Sequence, residues 1–217
     1  MAKYLSEFEA KQMICEYGRR LYQQGFVVAN DGNITVKVGD NEIWATPTFV
    51  SKGFMNPDML LKMDLDGNVL NSCDYKPTSE LKMHLGIMKA NPETQAVVHA
   101  HPTAATSLSV VGKDIEDADI IIEPILALGD YIPCCPFGMP GTYEIPEALA
   151  PYAKTHAAAL LSNHGAVTWG NDLKMAYYRM ELLEHFCKVY INATYVIGQK
   201  TSIPKDQIEK MIAKRGW

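Results

Sequence analysis

A chain of 217 residues, 47% of them hydrophobic, can bury a substantial core, and with no linker, repeat or low-complexity tract residues 1–217 are expected to form one domain. The 20 basic and 25 acidic residues leave a net charge of −5 without a clustered Lys/Arg stripe, which argues against nucleic acid or an anionic membrane as partner. No apolar run approaches the roughly 20 residues of a membrane span, and Met1 to Ala10 lacks an export-type apolar core, so a cytoplasmic location is expected.

Ala10, Met13, Ile14, Tyr17 and Leu21 recur at helical spacing, with Gly25 as the C-terminal stop. Asn30-Asp31-Gly32-Asn33 reads as a turn or as an anion loop with the Asn33 amide towards a ligand. Ile34, Val36 and Val38 then alternate with polar residues, and Gly39-Asp40-Asn41 leads into Glu42 to Thr46 as a β-hairpin. Asn56-Pro57 starts a short helix to about Leu60, and a strand pair surrounds Asp66-Gly67. Leu81, His84, Leu85 and Met88 mark a helix introduced by Thr78-Ser79-Glu80, with Glu80 in its first turn and His84 as a hydrogen-bonded core residue.

Ala96-Val97-Val98 is an apolar strand leading into His99-Ala100-His101, whose two imidazoles share one strand face. A helix follows from Pro102 to Val110. Ile120 to Leu128 is strongly apolar except for Glu123, which either faces solvent from a strand edge or serves as an acid/base group. Tyr143 to Tyr152 reads as helical, and Ala157 to Ser162 as a strand ending in Asn163-His164-Gly165. Leu173, Ala176, Tyr177, Met180, Leu183, Cys187, Tyr190, Ile191 and Thr194 form one long helical stripe, with His185 off it at the surface, and Lys205 to Lys214 is a last short helix. Cys15, Cys73, Cys134, Cys135 and Cys187 form no Cys-x-x-Cys pair and read as buried thiols.

His99, His101 and His164 at or near strand ends, with the Glu80 carboxylate at a helix start, are the donor set of a zinc site. Three protein ligands with an exchangeable position describe a catalytic rather than a structural zinc, acting as a Lewis acid. Thr78, Ser79 and Asn33 supply donors for a small phosphate beside the helix N-terminus.

Six motifs in order, Asp31-Gly32-Asn33-Ile34, Thr46-Pro47-Thr48, Lys76-Pro77-Thr78-Ser79-Glu80, His99-Ala100-His101, Pro140-Gly141-Thr142 and Asn163-His164-Gly165, resemble the class II aldolase/adducin superfamily, closest to its L-fuculose-1-phosphate aldolase branch. The resemblance implies a three-layer α/β/α fold around a largely antiparallel sheet and a homotetramer with active sites between subunits. It also implies one Zn2+ on His99, His101 and His164, with Glu80 as resting-state ligand and proton-transferring base, and a sugar phosphate held by Asn33, Thr48, Thr78 and Ser79. The implied reaction is reversible cleavage of a ketose 1-phosphate into dihydroxyacetone phosphate and an aldehyde.

Two departures stand against that pattern. Phe49 follows Thr48 where the aldolases usually have a glycine whose N–H meets phosphate; Lys52 offers a compensating cation, although a solvated lysine is the commoner case. Glu123 falls near the tyrosine that fuculose-phosphate aldolases contribute from a neighbouring subunit, and glutamate there resembles methylthioribulose-1-phosphate dehydratases, so zinc-dependent dehydration is the alternative reaction. Epimerases of the superfamily usually carry a Thr-His-Ala-Asp-like stretch that Cys134 to Gly141 lacks. An adducin-like scaffold predicts missing metal ligands, which are present here. The aldehyde pocket is expected to draw on loops and on Trp217.

Overall fold

The computed structural model describes residues 4–213. A capping box formed by Ser6 and Glu9 starts α1 (Glu7–Gln23), and Gly25 takes a φ of 71° just beyond its end, as a helix stop requires. The alternating segment that follows is β1 (Asn33–Gly39), which turns back through residues 40–41 into β2 (Glu42–Ala45). β3 (Leu61–Asp64) pairs with β2, but its expected partner beyond Gly67 is reduced to a single bridge between Met63 and Val69. The short helix after Asn56 is one 3-10 turn, Pro57–Met59, capped by the Asn56 side chain.

α2 (Leu81–Ala90), β4 (Ala96–Ala100) and α3 (Thr103–Val111) follow as the periodicity indicates. The Ile120 to Leu128 run is not a strand. It forms a 3-10 turn, Ala118–Ile120, and then α4 (Ile122–Ala127), with Glu123 exposed in the first turn. Pro124 explains this, because proline has no N–H for a ladder but is tolerated in a helix's first turn, where that N–H has no intrahelical acceptor. After the two-residue β5 (Cys134–Cys135) come α5 (Glu144–Leu149), β6 (Ala158–Leu161), β7 (Gly165–Gly170), α6 (Leu173–Ile191), a π-helical extension Asn192–Ile197, and α7 (Lys205–Ile212). Cys15, Cys135 and Cys187 are buried, whereas Cys73 and Cys134 are only half-buried; all five are free thiols.

The strands form one sheet in the order β3-β2-β1-β4-β7-β6-β5, antiparallel throughout except for β5 on β6. One apolar layer unites α1, α3 and α6 with Ile34, Val36, Val98, Ala100 and Ala166. The other unites α2 and α5 with Ile43, Ala45, Val97, Val167 and Trp169. The fold is therefore the three-layer α/β/α arrangement around a largely antiparallel sheet. No helix among the described residues is long and apolar enough to cross a membrane.

Candidate metal centre

β1, β4 and β7 lie side by side, with Asn33 opposite His99 and His99 opposite Val167. Directly opposed residues of an antiparallel pair point to the same face, so register alone puts Asn33 beside His99 on the α2 side. His101 follows the end of β4, and the start of α3 just beyond it is held by the buried carboxylate of Glu184, which accepts from the backbone N–H groups of Ala104 and Ala105 at 3.0–3.1 Å. His164 stands in the tight turn between β6 and β7, where Asn163 takes a φ of 58°. Gly165 lets that turn close: a Cβ there would lie 2.5 Å from the His101 ring and 2.7 Å from the Ala100 carbonyl oxygen. Gly32, at φ 72°, is likewise confined between Val27 and the His99 carbonyl oxygen.

These elements bring His99, His101 and His164 together with one nitrogen of each within 4.8 Å of the others. His99 Nδ1 donates to the Ala166 carbonyl at 2.9 Å, which turns Nε2 to the centre, and His101 Nδ1 faces Asp31 Oδ2 at 3.4 Å. His101 Nε2 lies 3.0 Å from His99 Nε2. Glu80 completes the group. It is the residue that caps α2, but its side chain makes no capping bond; Oε2 lies 3.1 Å from His99 Nε2 and Oε1 3.1 Å from His164 Nε2. Just ahead of the helix, Thr78 Oγ1 accepts from the Glu80 N–H at 3.3 Å.

The electrostatics are those of a cation seat. Burial opposes the charge of Glu80, but positive charge on His99 and His164 and the Asn33 amide hold its carboxyl well below the usual carboxylate range. Burial also opposes charge on His99, yet Glu80 outweighs it and raises His99, while burial and the His99 charge push His164 down to about 4 and lower His101. The negative charge that favours a proton on His99 favours a metal cation in the same place. Glu80 Oε1 is buried with no hydrogen-bond donor, although two imidazoles surround the carboxylate. Three imidazole nitrogens and an underused carboxylate oxygen fit a divalent ion.

A cleft of about 420 Å³ opens onto this centre, lined by Asn33, Thr48, Thr78, Ser79, Glu80, His101 and His164 among others. The side-chain amide of Asn33 is engaged inwards, donating to Glu80 Oε2 at 2.8 Å, with its Oδ1 2.5 Å from His84 Nε2. Phe49 takes the left-handed conformation, φ 58°, that a glycine would adopt without strain, and its ring is exposed at the cleft. Lys52 corrects the expectation of a solvated lysine. It is buried on the cleft wall, where Nζ donates to the carbonyls of Asn30 at 3.0 Å and Val50 at 2.5 Å; burial pushes its pKa down to about 8, against a smaller opposite pull from Asp31. Its signal in the sequence was only its place between two loops that the fold closes together. Glu123, on α4, does not line this cleft, and Trp217 lies outside the described residues.

The family described as "Class II Aldolase and Adducin N-terminal domain" matches residues 12–191. A 3-oxo-tetronate 4-phosphate decarboxylase of Haemophilus influenzae is 34% identical over 217 residues, covering 98% of this chain and 100% of that one. An L-fuculose phosphate aldolase of Methanococcus maripaludis is 36% identical over 173 residues, or 78% of this chain and 88% of that one. A solved L-fuculose 1-phosphate aldolase superposes with a TM-score of 0.87 at 26% identity, covering 99% of each chain.

Proposed function

The chain belongs to the class II aldolase/adducin family, and we propose that it is a metal-dependent carbon–carbon lyase, an aldolase that cleaves a ketose 1-phosphate to dihydroxyacetone phosphate and an aldehyde. The observation that carries this reading is Glu80, an ionised carboxylate held against two of three clustered histidines at the floor of a cleft large enough for a sugar phosphate. His99, His101 and His164 would hold the ion, and their all-imidazole character suits zinc. When bound, the ion supplies positive charge where substrate oxygens become negative.

The chain's own residues do the rest. Thr48, Thr78 and Ser79 line the cleft and would receive the phosphate, with the Lys52 ammonium behind the Asn30–Asn33 loop. In the cleavage direction a base takes the proton of the hydroxyl whose carbon leaves as the aldehyde, the carbon–carbon bond breaks, and its electron pair stays on the three-carbon fragment as an enediolate. Glu80, ionised at rest, would accept that proton and return it to the enediolate carbon, giving dihydroxyacetone phosphate. The assembly implied by the resemblance is a homotetramer, in which Glu123 would reach a site only from a neighbouring subunit.

A second reading has a specific observation behind it. The similarity to the 3-oxo-tetronate 4-phosphate decarboxylase runs the full length of both chains. Loss of carbon dioxide from such a 3-oxo acid leaves the same enediolate, which Glu80 would protonate with a proton taken up from solvent. A coupled assay for triose phosphate, run with L-fuculose 1-phosphate, related ketose 1-phosphates and 3-oxo-tetronate 4-phosphate, separates the two by their co-product. Triose phosphate with an aldehyde supports the aldolase; triose phosphate with carbon dioxide transfers the assignment to the decarboxylase. A dehydrated diketo product with no triose phosphate overturns both in favour of dehydration.

A further inference from the structure

Glu80 does not stand alone against the histidines; it is the end of a buried chain of hydrogen bonds that crosses from β1 to α2. Thr35 Oγ1 lies 2.8 Å from His84 Nδ1, His84 Nε2 lies 2.5 Å from Asn33 Oδ1, and Asn33 Nδ2 donates to Glu80 Oε2 at 2.8 Å. Asn33 and Thr35 share one face of β1, and His84 lies one turn beyond Glu80 on α2, so the chain follows from two simple spacings. Thr35 and His84 are fully buried, and Asn33 and Glu80 nearly so.

The direction of every bond is fixed from the Glu80 end. Asn33 turns its NH2 to Glu80 Oε2 and its carbonyl oxygen to His84 Nε2. A carbonyl oxygen only accepts, so His84 must carry its proton on Nε2. Nδ1 is then a lone pair, and the Thr35 hydroxyl donates to it. Burial agrees with a neutral ring, pushing His84 down to about 3.

We infer that His84 is a positioning residue for the carboxylate: through Asn33 it anchors Oε2 of Glu80 and so fixes the carboxylate plane, leaving Oε1 turned to the His164 side of the cleft. Oε2 is committed to the Asn33 amide, whereas Oε1 receives no donor and lies on the His164 side of the cleft. If Asn33 flipped, its carbonyl oxygen would stand 2.8 Å from the carboxylate, which is repulsive. His84 opposes that flip, because a flipped Asn33 would also require the ring proton to move from Nε2 to Nδ1 and the Thr35 hydroxyl to turn from donor to acceptor. The inference rests on Glu80 being the proton-transferring group of the lyase proposed above.

The test compares His84→Leu with His84→Gln in the metal-loaded protein and reads the His84 tautomer of the wild type by two-bond 1H–15N correlation. The expected spectrum places the proton on Nε2. His84→Leu is expected to lower kcat by about tenfold or more while KM moves by less than about threefold, and His84→Gln, which returns an N–H donor, to recover most of that loss. Asn33 side-chain amide protons that exchange slowly in the wild type are expected to exchange fast in His84→Leu. A proton on Nδ1 would overturn the inference. So would equal losses in both variants that track their folded fraction, which would make His84 a packing residue. If the wild type turns over no phosphorylated ketose or 3-oxo acid, the lyase reading fails, while tautomer and amide exchange still decide whether the relay exists.

Discussion

β1 and β4 present two different surfaces from adjacent positions of the same chain. Ile34, Val36, Val98 and Ala100 face the layer of α1, α3 and α6 and interact with it only through apolar area. Asn33, Thr35 and His99 face the α2 side, where each has a defined polar partner. An apolar face tolerates exchange among aliphatic side chains of similar volume, because burial is non-directional. The polar face does not, because each buried donor or acceptor left without its partner costs about 1–3 kcal/mol. The strand period of two thus separates what holds the molecule together from what performs chemistry.

Substitutions on the two faces should therefore fail differently. The largest effect belongs to the polar face: Glu80→Gln, which keeps an acceptor for the Asn33 amide, is expected to lower kcat by about 10²–10⁴-fold per folded molecule, as measured by steady-state kinetics beside calorimetry. On the other face, Ile34→Ala is expected to cost about 2–5 kcal/mol in urea unfolding, since Ile34 is fully buried, while kcat per folded molecule stays within about twofold. Loss of kcat without loss of stability in the second variant would erase the distinction.

The pH dependence of stability sharpens it further. His84 has its native pKa lowered to about 3 from an unfolded value near 6.5, so between these values the unfolded chain binds the extra proton. Stability from this group is fully present above about 6.5 and is lost as pH falls through 3, with a slope of up to about 1.4 kcal/mol per pH unit. His84→Gln should flatten that acid limb in urea titrations across the same range. The smallest effect is expected at the cleft mouth, where Phe49→Gly removes a left-handed non-glycine residue and should raise the unfolding free energy by about 1 kcal/mol or less.

Much of this was legible in the residues themselves. His99 and His101 reveal themselves because a period of two puts them on one face of an apolar strand, and His164 because Asn and Gly flank it in a turn. His84 is readable as a hydrogen-bonded core residue from the apolar stripe it sits in, but its partners are not, because they depend on which face of β1 packs on α2. Asn33 looks like a ligand-facing amide for the same reason; only the fold shows both ends of that amide turned to Glu80 and His84. Lys52 is hidden because burial comes from two loops closing over it. The Ile120 to Leu128 run suggests a strand by its apolar content, and Pro124 within it is the residue that tells against a ladder strand.

The most direct test of the central claim avoids the unknown half of the substrate. Dihydroxyacetone phosphate is incubated in deuterated buffer with the protein loaded with zinc, with a chelated sample and with Glu80→Gln, and the hydroxymethyl protons are followed by NMR. Aldol cleavage and decarboxylation share one enediolate, so the account predicts that a single hydroxymethyl proton exchanges in the loaded wild type and in neither control. Exchange that is equal in all three samples, or absent from the loaded wild type, would contradict it.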